Sequence, residues 1–111
     1  MISVKLFSIS VIQIFYWSVI FMLEESVFTS EQAKEIGEML GINWSKFSIE
    51  QFRMGMDVEL EHGTVDPLTN VTDNDPLVTG KIALAHLTEY PDYYSRLEKM
   101  EIEAEKYWEC K

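Results

Sequence analysis

The fold is decided by residues 47–63, FSIEQFRMGMDVELEHG, which predict one complete amphipathic helix. Ser48 is an N-cap residue with Gln51 three positions later, the spacing of a capping box, and Gly63 ends the helix. At roughly 100° per residue the apolar side chains share one stripe, namely Ile49, Phe52, Met56 and Leu60. Glu59 falls inside that stripe, so this helix carries a carboxylate on the face that packs.

Two further helices have equally clear starts. Thr29 and Gln32 form a second capping-box pair and begin a first helix upstream. Downstream of a long polar loop, Asp75 is an N-cap residue and Pro76 takes the first helical position. This third helix runs to about residue 89 and has apolar residues on two opposite faces, which predicts a central position in the domain.

A fourth helix opens at Pro91 and carries an apolar seam with alternating spacings of four and three. The seam consists of Tyr93, Leu97, Met100, Ala104 and Tyr107. It is too short for a stable free coiled coil, so we expect it to pack on the second and third helices. No hairpin signal interrupts this pattern, and the fold class is predicted to be all-α, a compact four-helix domain.

An apolar segment precedes the domain. Seventeen of the first 23 residues are apolar and Lys5 is their only charge. We divide the chain into an apolar leader, residues 1–21, and an acidic helical domain, residues 22–111. The leader is either a mis-assigned start, with Met22 as the true first residue, or a membrane anchor with residues 6–23 as its span. A signal peptide and a segment packed in the core fit less well.

The chain is strongly acidic, with 9 Lys and Arg against 19 Asp and Glu and a formal net charge of −10. Nucleic acid is excluded as a partner on this ground, because affinity for phosphates comes mostly from basic residues. We therefore expect a protein partner. The only cysteine, Cys110, can form no internal disulfide, which fits a reducing compartment, so we expect a cytoplasmic location. A single-pass, membrane-anchored protein is the alternative if the leader is a real span.

Both histidines of the chain stand three residues from a glutamate. Glu59 and His62 form E-x-x-H, and His86 and Glu89 form H-x-x-E. Residues three apart on a helix project together, and helical bundles use this spacing to bind metals. The candidate cofactor is a divalent metal such as zinc, iron or manganese. The other interpretation makes His86 a core residue paired with Glu59 and places His62 at the negative end of its helix.

A cluster of tyrosines follows the third helix. Tyr90, Tyr93 and Tyr94 lie within five positions. Aromatic side chains of this kind either pack at the core and its rim or form a binding surface. We take the three as a candidate binding surface.

The sequence resembles a small family of unknown function found in bacteria and their phages. The resemblance rests on E-L-E-H-G at residues 59–63, K-I-A-L-A-H-L at 81–87 and P-D-Y-Y at 91–94. It covers roughly residues 29–108. It implies that the leader lies outside the family domain and that both histidines belong to the signature, and it brings no activity with it.

Two functions remain open. The first is a protein-binding or accessory module. The alternative is a metal-binding domain, with hydrolase or oxidase activity, that uses two histidines and two glutamates. No serine elbow and no glycine-rich phosphate loop is present, so no catalytic residue is assigned.

Overall fold

The computed structural model describes residues 26–110 and folds them into four helices. These are α1 (Ser30–Met39), α2 (Ile49–Glu59), α3 (Pro76–Glu89) and α4 (Tyr93–Glu109), with a 3₁₀ turn, Leu60–His62, directly after α2. No strand occurs among the described residues. The predicted all-α, four-helix domain is therefore confirmed.

The predicted leader lies outside the described residues. This holds for residues 1–21, for the domain boundary at residue 22, and for the choice between a mis-assigned start and a membrane anchor. Within residues 26–110, no helix combines the length and the apolar character that a membrane crossing needs.

The helix starts follow the predicted capping chemistry. Thr29 and Gln32 make both bonds of a capping box at α1. The Asp75 carboxylate accepts hydrogen bonds from the backbone N–H groups of Leu77 and Val78 at the start of α3. Each of these N–H groups is bonded by a side chain two or three residues away. The position of each helix start therefore depends on local sequence.

Gln51 departs from this pattern. Ser48 caps α2 by accepting the Gln51 backbone N–H, but the Gln51 side chain does not complete a box. Its Nε2 instead donates to Ser95 Oγ at 2.7 Å and ties α2 to α4. The Gln51 side chain thus bonds to Ser95 on another helix instead of to the backbone of Ser48.

The core is built around α2, which contacts each of the other three helices. Its buried side chains include Phe52 and Met56 at 0% exposure. The complete set of buried hydrophobic residues is Ala33, Phe47, Phe52, Met56, Ala83, Leu87 and Tyr94. Helix α3 contacts the other three helices as well, so the central position predicted for the third helix is shared with α2.

Helix α3 buries one stripe rather than two faces. Its buried residues are Thr79, Gly80, Ala83 and Leu87, whereas Leu77 and Val78 are exposed. A Cβ at Gly80 would lie 2.8 Å from Ile36 Cγ2 and 3.2 Å from Phe52 Cζ. The absent side chain lets α3 come close to α1 and α2 on that one side.

Helix α4 uses only the first half of its apolar seam. Tyr93 and Leu97 pack against the core, but Met100 is 57% exposed and Tyr107 54% exposed. The helix has 17 residues and the α2 against which it packs has 11. The prediction that the whole seam packs on the neighbouring helices is therefore wrong, since the partner helix is too short to cover it.

Candidate functional site

A buried carboxylate lies at the end of α2. Glu59 is the last residue of the helix and is 3% exposed. Its Oε1 accepts a hydrogen bond of 2.7 Å from the Tyr94 hydroxyl group. A buried carboxylate without compensating partners is strongly disfavoured. The prediction that Glu59 lies within the packed stripe is confirmed, and its partners become the central question about this site.

Gly55 makes room for Tyr94. The ring of Tyr94 lies directly on the α2 backbone at Gly55, and a Cβ there would overlap it. Gly55 stands one helical turn before Glu59, so the ring crosses α2 at the position from which its hydroxyl group reaches the carboxylate. Burial, and then the bond to Glu59, hold the pKa of the Tyr94 phenol well above its usual range.

Both histidines converge on the same carboxylate. His62 Nε2 lies 3.6 Å from Glu59 Oε2, and His86 Nε2 lies 3.6 Å from Oε1. Their side chains are 44% and 36% exposed, against 4% for the Glu59 side chain. The carboxylate is therefore covered by two imidazoles that reach the surface. We call Glu59, His62, His86 and Tyr94 the carboxylate cluster.

Each histidine is held in place by its surroundings. The His86 ring stacks on Tyr93, with ring centroids 4.3 Å apart and planes inclined by 12°. The Tyr94 ring is nearly perpendicular to the same imidazole, with ring centroids 6.2 Å apart and planes inclined by 85°. The His62 backbone carbonyl accepts the N–H groups of Val71 and Thr72. The cluster thus joins α2, α3 and α4 to the loop that follows His62.

The structure brings together three of the four predicted metal ligands, Glu59, His62 and His86. Glu89 is exposed at the end of α3, and no ion pair connects it with the cluster in the described part of the chain. A different acid takes part, because Glu61 Oε1 lies 3.4 Å from His62 Nε2. Within residues 26–110, no group of three His, Cys, Asp or Glu side chains is arranged to hold a metal ion.

The three predicted surface tyrosines have different environments. Tyr94 is 2% exposed and belongs to the core. Tyr93 is half-buried against His86. Tyr90 is 48% exposed, and the Arg96 guanidinium lies 4.3 Å from the centre of its ring. Of the candidate binding surface, Tyr90 is the member that faces solvent.

Sequence reasoning missed the role of Tyr94 in the cluster. Its hydroxyl group meets a carboxylate 35 residues earlier in the chain. A local pattern carries no information about such a contact. The glycine at position 55, within an otherwise strongly helical segment, was the one available signal of a close approach.

The loop between α2 and α3 is highly ordered by its own polar side chains. Asn74 Oδ1 accepts the Thr64 N–H at 2.9 Å, and Asn74 Nδ2 donates to Thr64 Oγ1 at 2.9 Å. Asn70 and Asp73 exchange two further bonds. Asp73 and Asn74 have positive φ angles, 55° and 63°, and Asp and Asn tolerate that conformation better than most residues. Their side chains therefore fix the shape of the loop.

The loop presents apolar side chains to solvent. Val65 is 45% exposed, Leu68 is 92% exposed and Val71 is 76% exposed. We call these three residues the loop surface.

The fold and the site together define a small all-α domain in which two histidines cover a buried carboxylate. The chain belongs to the family described as "Protein of unknown function (DUF5661)", which matches residues 33–103. The matched region contains the whole carboxylate cluster and the loop, and the predicted membership of a family of unknown function is confirmed. No match is found among curated proteins or among solved structures.

Proposed function

We propose that the protein is a small binding module, an accessory domain that engages another protein through the loop surface. The observation that carries this proposal is the exposure of Leu68, 92%, on an ordered loop. Burying a leucine side chain stabilises a protein by roughly 1.5–3 kcal/mol. The fold leaves this contribution unused, whereas docking on a partner would gain it.

The rigidity of the loop supports the same function. Bonds from Asn74 to Thr64 and from Val71 to the His62 carbonyl hold the loop at both ends. A loop fixed before binding loses little conformational entropy when a partner docks. Loops that a rigid scaffold holds in position often carry binding residues.

The charge around the loop surface indicates the chemistry of the partner. Asp66, Asp73 and Asp75 lie on the same loop or at its end, and the chain carries a net charge of −10. Complementary charges guide association and disfavour wrong partners. The proposed partner therefore has a shallow apolar pocket bordered by lysine or arginine residues.

The test compares proteins that co-purify with variants of the full chain. Leu68→Asp changes the loop surface, and Met39→Asp is its matched control, because Met39 is 67% exposed on α1. We expect one protein to be recovered in stoichiometric amounts with wild type and Met39→Asp, and at least tenfold less with Leu68→Asp. Circular dichroism checks that all three are folded.

Equal recovery with Leu68→Asp and wild type would contradict the proposal, as would the absence of any stoichiometric partner. A third variant, Tyr90→Ala, tests the exposed tyrosine separately. If recovery depends on Tyr90 and not on Leu68, the partner binds at the surface around Tyr90, and the proposal that it binds the loop surface is wrong.

A further inference from the structure

The second half of α4 carries an apolar stripe that the other described helices leave exposed. Met100 is 57% exposed, Trp108 is 59% exposed, and Ala104 between them is exposed as well. Residues four apart on a helix lie on one face, so the three side chains follow one another along α4. We call Met100, Ala104 and Trp108 the α4 stripe. It shares no residue with the loop surface.

The α4 stripe has the composition of a contact surface. The Tyr107 ring meets the Trp108 ring edge to face, with ring centroids 5.1 Å apart and planes inclined by 84°. This contact orients the indole before a partner arrives. Aromatic residues and methionine are enriched at protein interfaces, and tryptophan is prominent among the residues that contribute most to binding energy.

Acidic residues line one edge of the α4 stripe. At 3.6 residues per turn the glutamates of this edge form a row along the helix, namely Glu98, Glu101, Glu105 and Glu109. Burial, and then repulsion by neighbouring acids that include Glu61 and Glu105, raises the pKa of Glu101. Like charges therefore oppose one another along this edge, and positive side chains of a partner would relieve that repulsion.

The charge of this edge decides which occupant fits the α4 stripe. A two-fold pair of chains joins identical surface patches, so two α4 helices would bring glutamates against glutamates. Each chain also carries a net charge of −10, and like charges placed across an interface disfavour association. In pairs of helices, the residues that flank the apolar seam set partner choice through ion pairs. A basic helix is thus a better occupant than a second copy.

We propose that the α4 stripe binds an amphipathic helix of another protein whose apolar seam is bordered by lysine or arginine. Apolar side chains of that helix cover Met100 and Trp108, and its cations face the row of glutamates. The contact is separate from the loop surface and does not depend on it.

Calorimetric titration of the full chain with two synthetic peptides tests the proposal. The first is a helix of about three heptads with leucine along its seam and lysine on both flanks, and the second carries glutamate in place of each lysine. We expect one lysine peptide to bind per chain, at least tenfold more tightly than the glutamate peptide. Met100→Asp and Trp108→Ala should each weaken binding of the lysine peptide at least tenfold.

Leu68→Asp is the matched control, because it adds the same charge as Met100→Asp at a side chain that is 92% exposed on the loop surface. It should leave peptide binding unchanged, so a failure of the loop surface and a failure of the α4 stripe give different results. Circular dichroism checks that the variants are folded.

Three results would overturn the proposal. The first is no binding of the lysine peptide to the full chain. The second is an equal effect of Met100→Asp and Leu68→Asp, because binding would then follow net charge alone. The third is a dimer of wild type, seen by sedimentation without peptide, that Met100→Asp dissociates, because the α4 stripe would then join two copies of the chain.

Discussion

The Tyr94 hydroxyl group donates the buried hydrogen bond of the carboxylate cluster, to Glu59. Tyr94→Phe keeps the aromatic ring on Gly55 and removes the 2.7 Å bond to Glu59. We expect the free energy of unfolding to fall by about 1.5–3 kcal/mol, the range for hydrogen bonds to charged groups. Urea unfolding at pH 7 measures the change. The exposed control Tyr90→Phe should stay within about 0.5 kcal/mol of wild type, and an equal stability of Tyr94→Phe would contradict the role given to the hydroxyl group.

The raised pKa of Tyr94 should make the stability of the fold depend on alkaline pH. Burial, followed by the bond to Glu59, raises the pKa of Tyr94 in the folded protein, while an unfolded tyrosine titrates near about 10. Below that value both states keep the proton. Above it the unfolded state loses the proton first, so the contribution of Tyr94 to stability declines as pH rises.

Urea unfolding at several pH values between about 9 and 11 checks this response. Wild type should lose stability more steeply than Tyr94→Phe, by up to about 1.4 kcal/mol per pH unit. Parallel curves for the two proteins would show that Tyr94 titrates normally in the fold.

At the level of helices, sequence predicts local features and misses those that depend on packing. Thr29 and Asp75 cap their helices as expected, because each bond joins residues at most three positions apart. The Gln51 side chain was misplaced, because its partner Ser95 lies 44 residues away. The two apolar faces of α3 look equivalent in sequence, and only the close approach at Gly80 shows which of them is buried.

Because only the first half of the apolar seam of α4 packs against the core, truncating side chains in its two halves should change the free energy of unfolding by different amounts. Leu97 packs against the core, whereas Met100 is 57% exposed. We expect Leu97→Ala to lower the free energy of unfolding by about 1–3 kcal/mol, less than a fully buried leucine would cost. Met100→Ala should cost less than about 0.5 kcal/mol. Chemical unfolding of both variants decides, and equal losses would mean that the seam is covered along its whole length.

The acidity of the whole molecule affects its stability. The net charge of −10 makes the folded chain repel itself. Added salt screens such repulsion, since the Debye length falls from about 30 Å at 0.01 M to about 10 Å at 0.1 M. We therefore expect the melting temperature to rise by a few degrees between low salt and about 0.3 M NaCl.

Thermal unfolding at a series of NaCl concentrations measures this rise. The double variant Glu98→Gln, Glu103→Gln is the control, because both residues are exposed on α4 and their neutral forms should reduce the response. A melting temperature that falls with salt would show that ion pairs such as Arg53 with Asp57 outweigh the repulsion.

The carboxylate cluster exists only when three helices come together. Sequence spacing placed Glu59 and His62 side by side on consecutive turns, and the meeting with His86 depended on the path of the intervening loop. That path is fixed by bonds such as Asn74 with Thr64, ten residues apart. The pairing of His86 with Glu59 could therefore be predicted as one of two interpretations, whereas the contact of Tyr94 with Glu59 could not.

The close contact of Gly55 with Tyr94 restricts how this domain can evolve. A side chain at position 55 would displace the tyrosine ring, so it requires a smaller residue at position 94. That replacement removes the hydroxyl group from the position-59 carboxylate, which then favours a neutral residue there. Substitutions at these three positions should consequently covary among members of the family, with glycine, tyrosine and glutamate inherited as a set.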